Sequence, residues 1–327
     1  MTNNFTTESI ISSCLNEEFK NNNIKYLKYF KDKLQIHDGE ILLKFHDHSI
    51  EIIKHKISND NEWRLHSTLD LILNTIKEYN LQLNCYVIIN INDGVICGEK
   101  FTRLSTVGRH KDSTHVGIPD SLSWSYINNG TFKKILSEDI NFSDKKDIIV
   151  FRGADTGKVR DNLLNQRVYF CNKYHDYDKL DAKITKLIGY NKDFLQSHNI
   201  QSINIISDPL STQDQLKYKY ILYIYGNSVS TDRLLWNLAS NSITIQVEPL
   251  PCEYDYIWYH HFLLQQNLIP SLSENNFIED FNNLLTNTNL SELKIKQQNF
   301  ANILIDKKIN IQYTKEVLVK YNTIYNS

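Results

Sequence analysis

The sequence has no excess of either charge and no long hydrophobic run. Its 36 basic residues are balanced by 38 acidic ones, giving a net charge of -2, which argues against a general nucleic-acid binder. No apolar stretch is long enough to span a bilayer, and the polar N-terminal residues lack the apolar core of a signal peptide. We therefore expect a cytoplasmic protein with no transmembrane segment and no nucleic-acid partner.

Cysteine is scarce, and its spacing fits neither a disulfide framework nor a zinc site. The five cysteines are odd in number and lie far apart, at Cys14, Cys85, Cys97, Cys171 and Cys252. No CxxC pair and no Cys/His spacing typical of zinc ligands occurs. The sequence therefore predicts reduced thiols.

Three motifs of common enzyme classes are also missing. No GxxxxGK[ST] phosphate loop, no GxGxxG dinucleotide fingerprint and no GxSxG nucleophile turn occurs. An anion-binding or catalytic site must therefore be sought in other residues.

The pattern of apolar runs predicts an α/β protein of two halves. In the first half, residues 41–45 and 49–57 predict a hairpin or two short strands, residues 65–79 an amphipathic helix and residues 85–91 a buried strand. In the second half, predicted strands at 148–151, 203–207, 219–226 and 242–248 alternate with helices at 161–174 and 231–240, a pattern typical of a parallel sheet. We predict domains at 1–145 and 146–300, with a C-terminal helix at 301–327 packing back on them.

The segment FRGADTGKVR, residues 151–160, joins a predicted strand to a predicted helix. Gly153 and Gly157 would let the backbone approach a phosphate, and Thr156 can donate a hydrogen bond. Arg160, expected one turn into the helix, offers a planar fork to two phosphate oxygens. The segment predicts an anion site, and a glycine-rich turn with a solvated arginine is the alternative.

Four blocks resemble glycosyltransferase family 90, which includes capsule-associated, lipopolysaccharide-modifying and protein O-glucosylating enzymes. FRGADTGKVRDNLL is similar to the family's FRG-x-x-T-x-x-x-R-D segment, and residues 217–246 are similar to its K-Y-x-hydrophobic-G-N-x-x-S…R-x-x-x-L-L-A-S segment. VIININDG resembles the strand that ends in the family's catalytic aspartate, and IPDSLSW resembles the stretch after it. The blocks occur in the family's order between residues 87 and 270.

The resemblance implies a GT-B-like fold, with two Rossmann-like domains facing a central cleft, C-terminal helices and an inverting, metal-independent transferase. It implies a UDP-sugar donor, glucose or xylose as the sugar, no cofactor, and a glycan, glycoprotein or lipid-linked acceptor. Asp93 would be the general base, although Asp93-Gly94 also fits a plain turn. The implied donor-binding residues are Gly153, Thr156, Gly157, Arg160, Arg233, Asn241, Ser242 and Glu253. The implied acceptor-side residues are Pro119, Asp120 and Trp124.

Two other functions are compatible with the sequence. One is a catalytically inactive module that binds a nucleotide sugar. The other is a manganese-dependent GT-A-like transferase using the DxD of Asp176 and Asp178, which we expect instead to be a solvated loop after a helix. The pairs His46/His48 and His260/His261 could suggest metal ligation. The first pair fits a hairpin turn better, and the second fits packing in an aromatic helix better.

Overall fold

The chain forms two compact units. A computed structural model of the protein describes residues 6–19, 36–91, 102–106, 109–110, 115–157, 159–160, 163–226, 231–250 and 255–326. Unit 1 comprises Met1–Gly130, Tyr254–Gln265 and Ile303–Ser327, and unit 2 comprises Thr131–Glu253 and Gln266–Asn302. The division thus falls at residue 130, where the sequence suggests 145, and the last helix belongs to unit 1.

The described residues contain two five-stranded sheets and one two-stranded sheet. The strands are β1 Glu40–Asp47, β2 Ser49–Lys56, β3 Leu83–Asn90, β4 Arg103–Ser105, β5 Arg109–His110, β6 His115–Gly117, β7 Lys146–Ala154, β8 Leu180–Lys186, β9 Tyr218–Tyr223, β10 Ile243–Val247, β11 Asp255–Tyr256 and β12 Ser271–Leu272.

The helices cover the sheets and dominate the C-terminal part. They are α1 Thr7–Glu18, α2 Glu62–Tyr79, α3 Ser121–Asn128, α4 Thr131–Ser137, α5 Gln166–Lys173, α6 Lys192–Ser197, α7 Ser202–Ile205, α8 Thr212–Gln215, α9 Thr231–Ala239, α10 His260–Gln265, α11 Phe277–Asn287, α12 Leu290–Leu304 and α13 Lys307–Asn326. Of the helices described, none has the length and apolar character needed to cross a membrane.

Unit 1 is built on a mixed sheet of strand order β2-β1-β3-β4-β6. The predicted hairpin is confirmed: β1 and β2 pair antiparallel, and Asp47 turns the chain with a positive φ of 52°. The predicted helix is also confirmed as α2, which buries Leu65, Ile72 and Ile76 on one side. Asn80 ends α2 in the left-handed conformation and donates to the Ile76 carbonyl. In the sheet, β1 pairs antiparallel with β3, so the hairpin extends the parallel part formed by β3, β4 and β6.

Unit 2 is built on a parallel sheet of strand order β12-β10-β9-β7-β8. Numbered by their own sequence, these strands run 5-4-3-1-2, which is the order of flavodoxin-like doubly wound folds. The central strands read as apolar runs because both faces of the sheet are covered: all residues of β10 are buried, as are Ile149, Val150 and Phe151 of β7. The order reverses between β7 and β9.

One predicted strand of unit 2 is wrong. Residues 202–205 form the short helix α7, and only Ile206 makes an isolated bridge, to Ile184. The edge strand that pairs with β7 is β8, where buried Leu180, Ala182 and Ile184 alternate with more exposed residues. An edge strand of this kind carries no continuous apolar run, whereas the run at 203–206 includes Ile203, which is 83% exposed.

Candidate anion-binding site

The candidate site lies in unit 2, at the carboxyl ends of β7 and β9. The chain leaves β7 towards β8 on one side of the sheet, and it leaves β9 towards β10 on the other. Connections that diverge in this way open a crevice, and ligands of doubly wound sheets bind there. The residues at the crevice are those that follow the two strands, 155–157 and 224–226.

Arg167 joins the two strand ends. It is the second residue of α5, whose first turn is capped by the Asn165 side chain accepting from Val168 N. Its Nη1 donates to the Ala154 carbonyl at 3.1 Å and to Thr156 Oγ1 at 2.8 Å. Its Nε and Nη2 donate to the Ile224 carbonyl at 3.2 and 2.9 Å. Arg167 is only 7% exposed. Its guanidinium is therefore fixed across the point where the strand order reverses.

Arg233 brings a second cation to the same place. It lies near the start of α9, the helix after β9, and its Nη1 donates to the Arg152 carbonyl of β7. Among the described residues, no carboxylate forms an ion pair with Arg167 or Arg233. Burial lowers the pKa of Arg167 to about 10, with the like charge of Arg233 as the next cause, and burial also lowers the pKa of Arg233. Asp155 and Asp232 act on these two charges in the opposite sense, but among the described residues neither carboxylate forms an ion pair with them.

Two glycines let the backbones approach each other and the guanidinium. Gly157 has φ +119°, and a Cβ there would lie 3.2 Å from the Tyr225 carbonyl oxygen. A Cβ on Gly226 would lie 2.8 Å from Arg167 Nη2 and 3.1 Å from its Cζ. The first position requires glycine for its conformation and the second for space.

Asp155 follows β7 directly, and its carboxylate is occupied by main-chain donors. It accepts from the N–H groups of Ile188, Gly189 and Tyr190 at 2.5, 3.2 and 2.9 Å. The Asn165 side chain donates to the Asp155 carbonyl at 2.7 Å. The carboxylate therefore anchors the loop after β8, and it acts on the Arg167 charge without forming an ion pair with it.

The prediction that Arg160 lies inside the helix is wrong. Val159 and Asn165 form an antiparallel bridge, and Arg160 N donates to the Leu164 carbonyl at 2.8 Å, so residues 159–160 pair with residues 164–165 before α5 begins. The helix begins only after Asn165 because that side chain caps it.

Arg160 is held by two side chains instead. It forms an ion pair with Glu274, and its Cζ lies 3.9 Å from the centroid of the Tyr169 ring. Burial raises the pKa of Glu274, although the Arg160 charge opposes that shift. Arg160 therefore sits near the end of β12, with its charge compensated.

Three further residues of the predicted donor site lie away from the crevice or inside a strand. Ser242 precedes β10 and donates to the Tyr218 carbonyl at 2.7 Å, at the amino edge of the sheet. Asn241 beside it donates to the Ile140 carbonyl at 3.1 Å. The structure does not bring these two together with Gly157. Gly153 lies within β7, where a Cβ would approach Phe151 Cζ to 2.8 Å.

The three predicted acceptor-side residues all have packing or capping contacts in unit 1. Pro119 is buried, and Asp120 caps α3 by accepting from Leu122 N and Ser123 N at 3.0 and 2.9 Å. Trp124 is 1% exposed and donates through Nε1 to Asp70 Oδ2 at 2.8 Å. The predicted base Asp93 and the predicted donor-binding residue Glu253 lie outside the described residues.

The DxD residues lie in the turn between α5 and β8, at the amino edge of the sheet. The Asp176 side chain is 89% exposed and lies 3.1 Å from His175 Nε2. In the part of the chain that the structure describes, no group of three or more His, Cys, Asp or Glu side chains is arranged to hold a metal ion. This placement does not favour the manganese-dependent alternative.

Sequence reasoning missed Arg167, Gln166 and Glu274. Arg167 carries a signal that can be found in retrospect: an arginine follows the cap Asn165 by two positions, where the helix dipole disfavours a cation.

A scan against protein-family models and a search of curated proteins both found no match for this chain.

Proposed function

We propose that the protein is an inverting glycosyltransferase of GT-B type that uses a UDP-sugar, with the donor diphosphate bound at the carboxyl ends of β7 and β9. The observation that supports this most is the pair Arg167 and Arg233, two guanidinium groups at the reversal of strand order that form no ion pair with a carboxylate of the described residues. A diphosphate matches them in charge, and its oxygens match the planar donors of arginine. The four sequence blocks that resemble family 90 supply the sugar and the reaction class.

In this proposal an acceptor hydroxyl attacks the anomeric carbon while the bond to the β-phosphate oxygen breaks. Asp93 takes the proton of the hydroxyl, and UDP leaves with the bonding electrons. The fixed guanidinium groups stabilise the negative charge that develops on UDP, so the protein itself performs the role that a metal has in other transferases. Glucose or xylose is the expected sugar, and a glycan, glycoprotein or lipid-linked glycan is the expected acceptor.

Titration calorimetry of UDP in EDTA tests the proposal on wild type, Arg233→Met and Lys192→Met. Arg233→Met removes a cation at the crevice, whereas Lys192→Met removes an exposed cation on α6. We expect Arg233→Met to weaken UDP binding at least about tenfold, as loss of a charge-assisted hydrogen bond does. Lys192→Met should bind as wild type does.

The control and the ligand decide what a negative result means. Equal losses in both variants would show a long-range charge effect without a local site. Failure of wild type to bind UDP at millimolar concentration would refute the UDP assignment. Recovery of binding on addition of manganese would favour the GT-A-like reaction instead.

A further inference from the structure

Two buried acceptor oxygens lie unsatisfied at the carboxyl edge of the unit 2 sheet. Gln166 is 1% exposed and Glu274 is 7% exposed. Each has one side-chain atom bonded: Gln166 Nε2 donates to the Glu248 carbonyl at 2.7 Å, and Glu274 Oε2 accepts from Arg160. The Oε1 of each residue accepts no hydrogen bond from the described residues. A buried acceptor without a donor is unfavourable, so two of them at one edge call for an explanation.

The two residues are connected through adjacent strands of the sheet. Glu248 and Glu274 follow β10 and β12, which are adjacent, and Glu248 N donates to the Leu272 carbonyl at 2.8 Å. Adjacent strands lie about 4.8 Å apart, and Gln166 is hydrogen-bonded to the end of one of them while Glu274 follows the other. Helix α5 positions both residues. It carries Gln166, and Tyr174 at its C-terminal end donates to the Glu274 carbonyl at 2.9 Å.

The hydrogen bonds just described determine which side-chain atom of Gln166 and of Glu274 is left without a partner among the described residues. The amide nitrogen of Gln166 is committed to a carbonyl, so its oxygen is the atom left over. Arg160 donates to Oε2 of Glu274 only, so Oε1 is the carboxylate oxygen left over. Both remaining atoms are acceptors at the carboxyl edge of the sheet that carries the crevice, so a ligand group that donates hydrogen bonds would satisfy them.

We propose that Glu274 and Gln166 accept hydrogen bonds from hydroxyl groups of the bound ligand and so select a phosphorylated polyol over a simple diphosphate. The inference rests on the proposed function, and it adds two specificity-determining residues to it. The hydroxyl groups have two sources in a UDP-sugar: the ribose diol and the transferred sugar. Both present the same chemistry to an acceptor oxygen.

The test compares inorganic pyrophosphate, UDP, 2′,3′-dideoxy-UDP and UDP-glucose by calorimetry on wild type and Glu274→Gln. The Gln amide oxygen still accepts from Arg160, so its NH₂ group replaces the free acceptor by a donor. We expect Glu274→Gln to bind pyrophosphate as wild type does and to lose about tenfold or more in affinity for the ligand whose hydroxyls it contacts. Glu279→Gln, an exposed carboxylate early in α11, is the matched control and should change nothing.

The ligand series separates the two sources. If ribose is the source, wild type binds dideoxy-UDP as weakly as Glu274→Gln binds UDP. If the transferred sugar is the source, Glu274→Gln binds UDP normally and loses only the affinity that glucose adds. Gln166→Met should show the same selectivity, and thermal melting of all variants confirms that they fold.

Two results overturn the inference while leaving the proposed function intact. Equal changes for pyrophosphate, UDP and UDP-glucose would mean that Glu274 acts only through Arg160. Unchanged binding of every ligand in both variants would mean that the two oxygens contact no ligand. Failure of wild type to bind UDP and UDP-glucose overturns the proposed function itself and the inference with it.

Discussion

Substitution of Gly226 by alanine should displace the guanidinium of Arg167 while leaving its charge unchanged. The new Cβ would lie 2.8 Å from Nη2, 3.1 Å from Cζ and 3.2 Å from Nη1. These distances are shorter than ordinary carbon–nitrogen contact, so the guanidinium must move. It is held by hydrogen bonds to Ala154, Thr156 and Ile224, and moving it breaks or lengthens them.

The expected magnitude follows from those contacts. Overpacking of a buried site typically destabilises by about 1–3 kcal/mol, and one hydrogen bond to a charged group contributes about 1.5–3 kcal/mol. We therefore expect Gly226→Ala to lower the free energy of unfolding by about 2 kcal/mol. If the crevice binds a diphosphate, UDP affinity should also fall at least about tenfold, because the positive charge of Arg167 is displaced from the place where its hydrogen bonds fix it.

Gly189→Ala is the matched control for this prediction. A Cβ at Gly189 would meet only the Asp155 carbonyl, at 3.6 Å, which is ordinary contact. Urea denaturation followed by circular dichroism measures the unfolding free energy, and calorimetry measures UDP affinity. The reasoning is refuted if Gly226→Ala matches Gly189→Ala in both measurements, since Arg167 would then not be fixed where the bonds place it.

Two other predictions concern acid sensitivity and turnover. Burial lowers the pKa of His260 from 6.5 to about 4, with the His261 charge as a second cause, so the unfolded chain binds a proton first and stability is lost as pH falls from 6.5 towards 4. Urea denaturation at several pH values should show a flatter dependence for His260→Gln, and an unchanged slope would contradict the assignment. If the proposed function is right, Asp93→Asn should abolish sugar transfer yet bind UDP as wild type does, and full transfer activity would exclude Asp93 as the base.

Much of the fold could be predicted because its central elements have strong periodic patterns. Helix α2 buries residues three or four apart, and β7 and β9 are apolar on both faces. The edge strand β8 could not be predicted in this way, since its charged residues alternate with Leu180, Ala182 and Ile184. The strand expected at 203–207 failed for the converse reason: a short apolar run has no fixed period, and here it forms a helical turn.

The site was harder to predict than the fold because its contacts join distant segments. Gly157 could be singled out, since a glycine after a strand suggests a close approach of backbones. Glu274 could not, because its pairing with Arg160 spans 114 residues and depends on β12 lying at one edge of the sheet. The position of Arg160 was also misjudged, since a capping asparagine five residues later sets where the helix begins.

Arg167 combines three unfavourable terms, and their coincidence is the main physical argument for a ligand. Its side chain is removed from water, it lies in the first turn of a helix where the dipole is positive, and the cation of Arg233 is close enough to lower its pKa. Its bonds to carbonyl oxygens supply dipoles but no negative charge. A purely structural role would be met at lower cost by a neutral side chain, because well-packed neutral groups often match or exceed buried charges in stability. A bound dianion would be attracted by both guanidinium groups and by the helix dipole, and this attraction would offset the unfavourable terms, so the arrangement is preorganised for an anion.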